Sequence, residues 1–366
     1  MGHYFDYAAT SPVCASIGCD VFRTFGNPSS SHAEGAAARR LLEDSRRDIA
    51  ALMCSDPEEV FFTSGATESN CTAVFGACAA RARHSKVIVT DDSEHPSVAA
   101  PVAQLESRGY TVVRISTRGG RLDTDALRDA LSQPVALVSI MAVNNETGAV
   151  YDIPAVRREI DRSGCGALLH CDAVQGFLKY GRNGFFTSQC DLMSVSAHKI
   201  GGLKGCGALY VRKGVRIPPM LLGGGQEKGF RSGTENTVGI YCFAEAARNF
   251  GSSALKGVYE KTLDAVIRAG LSPHIPESHC YHIISASMPG VRSETLINYL
   301  SSVGVYLSAS SACSSKKKGN RVLEAFGLTP DEINSAVRIS VSPLTGDEDI
   351  AALESALLSA RERFGK

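Results

Sequence analysis

A lysine that closes a buried apolar run must reach solvent or find a partner, because an unpaired ammonium is costly to bury. Lys199 stands in that position, at the end of LMSVSAHK (192–199). Other apolar runs also end on groups able to do chemistry. KVIVT (86–90) is followed by DDSEHPS with His95, and VALVSIM (135–141) by AVNNETG with Asn144, Asn145 and Glu146. ALLHCDA (167–173) carries Asp172, and Gln175 lies just beyond it. In FFTSGATESN, Gly65, Ala66 and Thr67 sit between a short apolar run and a helical pattern, so free backbone N–H groups and the positive end of a helix would face one crevice. Taken singly, each residue has a plainer reading. Asp172 serves equally as a helix cap, His95 as a solvated loop residue, and Asn144 and Asn145 as turn formers. Together, a lysine, a carboxylate and a phosphate-binding turn around a ring-sized crevice fit a Schiff-base lysine holding pyridoxal phosphate, with Asp172 facing the pyridine nitrogen.

Those residues need a scaffold that brings strand ends to one rim. The runs above, with TVVRIS (111–116) and ALYVRK (208–213), are continuously apolar rather than alternating, as expected of strands covered on both faces in a largely parallel sheet. In such sheets, ligands bind beyond the carboxyl ends of the strands. EGAAARRLLEDSRRDIAALM (34–53) and ATESNCTAVFGACAARAR (66–83) read as helices, the first opened by Ser31 and Glu34 in capping-box spacing. Beyond about residue 255 the texture shifts to YHIISASM, SETLINYLSS, VRISVS and a closing helix in which Thr345 and Glu348 repeat the capping-box spacing. The expectation is an α/β protein with a large domain over 14–254. A smaller α+β domain would be built from 1–13 and 255–366.

At 44% hydrophobic and 21% charged residues, the chain has the composition of an ordinary soluble globular protein. Its 38 basic residues balance 38 acidic ones, which argues against a broad surface for nucleic acid or anionic lipid. The opening MGHYFDYAAT lacks the charged start and apolar block of a secretory signal, no run is long enough to span a bilayer, and a cytoplasmic location is expected. Twelve cysteines occur with no CxxC spacing, so no metal or disulfide framework is expected and most should pack as small hydrophobes. Cys313 differs. It lies in SASSACSSKKKG (308–319), among small residues and just before three lysines that would favour its thiolate.

The chain resembles the NifS/IscS-like cysteine desulfurases of the class V aminotransferase group, in motifs that run in order along nearly its whole length. These are DYAATSP (6–12), NPSSSH (27–32), FTSGATESN (62–70), SEHPSV (93–98), VNNETG (143–148), HCDAVQ (170–175), SAHK (196–199), GGGQEKGFRSGTEN (223–236), SSAC (310–313) and VRIS (337–340). The pyridoxal phosphate motifs are shared with relatives of other activities, whereas SSAC marks the desulfurase branch. The resemblance implies the type I fold of pyridoxal-phosphate-dependent transferases. It makes Lys199 the cofactor lysine and places His95 over the ring in proton transfer. Asp172 would face the ring nitrogen, Gln175 and Asn145 the phenolic oxygen, and Ala66, Thr67, Ser196 and His198 the phosphate. Thr234 would reach the phosphate of a neighbouring subunit, hence a homodimer. Arg338 would clamp the substrate carboxylate with Asn27 nearby, and Cys313 would take sulfur from L-cysteine as a persulfide, leaving L-alanine. An acceptor protein, such as an iron–sulfur scaffold or a tRNA-thiolation enzyme, would receive that sulfur.

Two departures stand out. Relatives commonly continue the VRIS strand into Gly-Arg, where this chain has Val341, Ser342 and Pro343, and some carry a longer tail than RERFGK for docking a scaffold. Other readings are a selenocysteine lyase or a small-amino-acid aminotransferase of the same fold, for which Cys313 is the discriminator. A nucleotide-binding module is a third, and the chain lacks GxGxxG and GxxxxGK[ST].

Overall fold

The computed structural model describes residues 2–181, 186–310 and 320–365. The continuously apolar runs form a seven-stranded sheet. Its order is Val60–Thr63, Gly207–Val211, Leu192–Ser196, Leu168–Asp172, Leu137–Ser139, Val87–Asp91 and Thr111–Ile115. The last five of these strands pair in parallel, and Val60–Thr63 and Gly207–Val211 join antiparallel at one edge. Neighbouring side chains on a strand face opposite ways, and the two faces here meet different cores. Ile88, Leu137 and Leu168 pack with the Ala66–Arg81 and Pro96–Ser107 helices. Val89, Val138 and Leu169 pack on the opposite side, with Ala33–Met53, Ile153–Ser163 and Thr237–Arg248. Helices on both faces explain why these strands carry no polar alternation.

A second, antiparallel sheet has the order Ser308–Ala309, Ala336–Ser340, Ile283–Ser287, Ser272–Pro273. Leu255–Arg268, Ser293–Ser302 and Asp347–Phe364 enclose its core, into which Phe5 is fully buried. The N-terminal His3–Tyr4 strand runs parallel to Val305–Tyr306, which keeps the start of the chain with this part. Val341 is packed in this core, and the Ser342 hydroxyl accepts from the Leu344 amide at 3.0 Å, so the chain turns away directly after the strand. Among the described residues no helix is long and apolar enough to cross a membrane.

Both expected capping boxes are displaced by one residue. The first long helix starts at Ala33, so His32 is its N-cap, and the imidazole Nδ1 takes the Gly35 amide at 3.2 Å in place of a Ser31 hydroxyl. The last helix is capped at Gly346, whose amide is met by Asp349 Oδ2 at 2.9 Å. Thr345 is not free to cap, because its hydroxyl accepts from the Ser342 amide at 3.1 Å and closes the preceding turn.

The glycine-rich segment at 223–225 is held by a buried ion pair. Arg46 Nη2 donates to Glu227 Oε1 at 2.7 Å and Arg46 Nη1 to Glu227 Oε2 at 2.8 Å, with both side chains 2% exposed. Glu227 Oε2 also accepts from the Phe62 amide at 2.8 Å, and Arg46 Nη1 donates to the Val60 carbonyl at 2.7 Å. A helix, an edge strand and a loop are thereby fixed at one point. Removing one member of a buried pair strands the other charge. Glu227→Ala should therefore lower stability to urea by about 3–5 kcal/mol. Removal of the exposed Lys228–Glu58 pair (2.6 Å) should cost no more than about 1 kcal/mol. Equal losses would show that the buried pair has no special weight.

Candidate functional site

Because four adjacent strands run parallel, the segments after Asp91, Ser139, Asp172 and Ser196 emerge at one edge of the sheet. The Ala66–Arg81 helix starts at the same edge from Gly65, whose φ of 144° is one that side-chain-bearing residues rarely adopt. Gly207 is needed beside it, since a Cβ there would lie 2.7 Å from the Gly65 Cα. These segments enclose a cavity of about 760 Å³. Its wall includes Ala66, Thr67, His95, Asn145, Asp172, Gln175, Ser196, His198, Lys199 and Arg338, so ten of the expected residues converge.

Asp172, 6% exposed, ends its strand with Oδ1 accepting from the Val174 amide at 3.0 Å and Oδ2 from Asn70 Nδ2 at 2.7 Å. Asn70 Nδ2 also donates to Ser97 Oγ at 2.8 Å, and Ser97 Oγ meets His95 Nδ1 at 2.7 Å. The Ser97 amide donates to the same Nδ1 at 3.1 Å, so this nitrogen is an acceptor and the neutral ring carries its proton on Nε2. Burial pushes the His95 pKa down, with Lys199 and Arg338 acting in the same sense and Asp172 opposing them.

Lys199 lies in the short turn Ala197–Lys199, directly after its strand. Its Nζ donates to the Ala8 and Ala9 carbonyls at 2.8 Å each, a neutral pair of acceptors that does not offset a positive charge. Burial, and then Arg338, pull its pKa down to about 8, against smaller opposing pulls from Asp172 and Asp6. The neighbouring His198 contacts Thr10 Oγ1 at 3.2 Å and is pushed down to about 4 by burial and three nearby lysines. Gln175 Nε2 donates to the Ala8 carbonyl at 2.8 Å, and its Oε1 accepts from Lys179 at 3.3 Å. The first N–H groups of the Ala66–Arg81 helix have no intrahelical acceptor, which gives this wall a positive, donor-rich patch.

Arg338, 7% exposed, reaches the cavity from the Ala336–Ser340 strand of the second sheet. Its Nη2 donates to Asp6 Oδ1 at 2.9 Å and its Nη1 to the Asn145 carbonyl at 3.0 Å. Two expected residues lie outside the lining. Asn27 is exposed, its Oδ1 accepting from the Ser29 amide at 2.9 Å, and Thr234 is exposed on the surface. Cys313 lies outside the described residues, but Ser310 and Asn320, on either side of that stretch, both line the cavity.

Asp6, Asn70, Glu94 and Arg321 also stand at or near the cavity without a signal in the sequence, and Glu146, which follows an apolar run, lines it too. Asn70 is one turn beyond Ala66, a helical spacing that does place both on related faces. Glu94 is fully enclosed and pushed well above its usual range by burial and by the Asp91 and Asp172 carboxylates. Arg321 donates to the Glu94 carbonyl at 2.6 Å.

Comparison with known proteins places this geometry. The family model for aminotransferase class-V matches residues 3–353. A NifS/IcsS protein homolog of Lactobacillus delbrueckii subsp. bulgaricus is 37% identical, the match covering 96% of each chain. Cysteine desulfurase IscS 1 of Archaeoglobus fulgidus is 33% identical, over 99% of this chain and 97% of that protein. Among solved structures, a NifS-like protein superposes with a TM-score of 0.90 at 30% identity, covering 99% of this chain and 100% of the other. SspA in complex with cysteine superposes with a TM-score of 0.82 at 29% identity, covering 94% and 100%. The fold is that of the NifS-like proteins.

The surroundings of Lys199 make a direct prediction. In the ligand-free protein, its reaction with an amine-directed acylating reagent, followed on its peptide by mass spectrometry, should rise with a midpoint near pH 8 rather than 10.5. Arg338→Ala removes a cation that disfavours the ammonium, so the midpoint should move up. A midpoint at the usual lysine value in the unaltered protein would contradict the geometry.

Proposed function

The chain belongs to the aminotransferase class-V family, and from that premise we propose that it is a cysteine desulfurase. It takes sulfur from L-cysteine with pyridoxal phosphate as cofactor and releases L-alanine. One observation carries this reading. Lys199, Asp172, a helix N-terminus, Arg338, and Ser310 and Asn320 on either side of 311–319 line a single cavity.

The residues present fit the cofactor. A lysine amine with lowered pKa, a buried carboxylate already oriented by Asn70, and unpaired helix N–H groups form a donor set suited to an aldehyde, a pyridine nitrogen and a phosphate. Lys199 would hold it covalently, Asp172 would face the ring nitrogen, and Gln175 and Asn145 the phenolic oxygen. Ala66, Thr67, Ser196 and His198 would take the phosphate, and His95 would cover the ring. Bound there, pyridoxal phosphate supplies an electron sink for the charge left when the substrate Cα loses its proton.

The chain's own groups do the rest. Arg338 orients the substrate through its carboxylate, a task suited to a planar fork of donors. The Lys199 amine, neutral for a large fraction of the time near pH 8, accepts the Cα proton. His95, whose Nδ1 is occupied by Ser97, exchanges a proton through Nε2. The Cys313 thiolate then attacks the substrate sulfur. A sulfur–sulfur bond forms, the substrate Cβ–S bond breaks with its electron pair going to carbon, and Cβ takes up a proton. Lys199 returns the proton to Cα, and the products are a persulfide on Cys313 and L-alanine. The persulfide passes to an acceptor protein, with iron–sulfur cluster assembly or tRNA thiolation as its use.

The active form is a homodimer in the cytoplasm, in which the exposed Thr234 of one copy reaches the phosphate of the other. The chain divides into a cofactor-binding part, 14–254, and a smaller part, 1–13 with 255–366. The smaller part brings Arg338 to the cavity and carries Cys313 in its sequence.

With L-cysteine and dithiothreitol, the protein should release sulfide and alanine in equal amounts. Cys313→Ala should lose sulfide release by roughly a hundredfold or more, while the absorption change on adding L-cysteine persists. Equal sulfide output from both proteins would remove Cys313 as the nucleophile. Lys199→Ala loaded with pyridoxal phosphate should hold no cofactor that borohydride fixes to the chain, and covalent fixation in that variant would refute the lysine assignment.

A further inference from the structure

Arg338 meets the cavity already engaged by two carboxyl groups. Besides its contact with Asp6 at 2.9 Å, its Nη1 stands 3.6 Å from Glu146 Oε1. The Glu146 side chain is unevenly satisfied. Oε1 accepts from Asn145 Nδ2 at 3.2 Å, but Oε2 is buried with no hydrogen-bond partner among the described residues. The Arg338 Nε is also buried and unpartnered among them. A buried carboxylate oxygen without a donor is costly, and a protonated carboxyl much less so.

The groups that face Glu146 come from four segments. Arg338 reaches it from the Ala336–Ser340 strand, Asp6 from the N-terminal segment, Asn145 from its own loop, and Ser310 from the end of the second sheet. Burial moves its pKa up to about 7; Asp6 adds to that, while Arg338 and Ser310 pull the other way. A ligand carboxylate arriving at Arg338 would be a third anion around one guanidinium. With Asp6 directly bonded there, the group left to give way is Glu146.

We propose that Glu146 is a positioning residue that gates the Arg338 clamp. As a neutral acid it yields the guanidinium to a ligand carboxylate, and as an anion it competes for it, so that a carboxylate binding at Arg338 draws a proton from solvent onto Glu146. The proposal rests on Arg338 being the carboxylate clamp of the preceding section. Its sign follows from the direction of the shift. A bound anion raises the pKa of Glu146 further, so affinity is full where Glu146 is already neutral and falls as pH rises through about 7.

Propionate, which has a carboxylate but neither amine nor thiol, tests this in the holoenzyme by isothermal titration calorimetry. The dissociation constant should rise by about tenfold from pH 6 to pH 8 in the unaltered protein. In Glu146→Gln the rise should shrink to the small dependence contributed by the other titratable groups of the cavity, whereas Asp6→Asn should keep the full slope. At pH 7, titration in two buffers of different ionisation enthalpy should show uptake of about half a proton per propionate bound. That measurement needs no variant. An unchanged slope in Glu146→Gln, its loss in Asp6→Asn instead, or no proton uptake would each overturn the proposal. Binding that survives Arg338→Ala undiminished would overturn it too. None of these readouts depends on sulfur release, so failure of the desulfurase reading shows separately, as absence of sulfide.

Discussion

A carboxylate at the floor of an apolar sheet survives only if donors meet it, and the hydrogen bond from Asn70 to Asp172 is the contact on which the rest of the site depends. Asn70 belongs to the helix whose first turn contains Ala66 and Thr67, so satisfying the carboxylate also fixes where that helix's free N–H groups point. The same amide nitrogen reaches Ser97, and Ser97 sets the tautomer of His95. One buried acid thus positions an anion cradle on one side and an imidazole on the other. Networks of this kind hold their geometry because each member is costly to leave unpaired.

The second constraint is the strap formed by residues 5–11. Phe5 is buried in the core of the second sheet, and Ser340 Oγ takes the Ala8 amide at 2.9 Å. Asp6 holds Arg338, while the Ala8 and Ala9 carbonyls hold Lys199, and the Ser11 hydroxyl bonds the Lys199 carbonyl at 3.1 Å. The lysine rises from the large sheet and the arginine from the small one, and seven consecutive residues tie them together. A shift of one sheet against the other would have to break this strap or carry both cations with it.

Much of the scaffold was legible because burial on both faces leaves a plain mark, an uninterrupted apolar run, at each inner strand. Lys199, Asp172 and His95 were legible for a related reason: polar groups following such runs must have a use. Asp6 was not, and Glu146 was legible only as a polar group after such a run, since their partner Arg338 lies far away along the chain and local periodicity carries no record of the pairing. Asn70 sits in a helical pattern where an amide passes as an ordinary polar residue. The cap positions slipped by one residue because the His32 imidazole accepts the amide expected at a Ser31 hydroxyl, and because the Thr345 hydroxyl closes the preceding turn while Asp349 takes the Gly346 amide. Asn27 and Thr234 are exposed on the surface of this chain, outside the cavity lining, so their motifs do not translate into a place in the site of one chain.

The charges around the cavity explain why it should favour anionic ligands although the whole chain is formally neutral. Burial, and then the charges of Lys199 and Arg338, disfavour the Lys179 ammonium, and burial followed by Arg338 does the same at Lys199. Lys179 is pulled down to about 7 and Lys199 to about 8. The lowered values reflect the cost of holding these amines charged in a buried, cation-rich lining. A phosphate at the helix N-terminus and a carboxylate at Arg338 would offset that cost. The linkage works in both directions: an anion bound there would make these amines easier to charge, and their charging would favour the anion. Burial and Arg338 thus leave Lys199 a weaker base than a solvated lysine, in a cavity that still carries the Arg338 guanidinium.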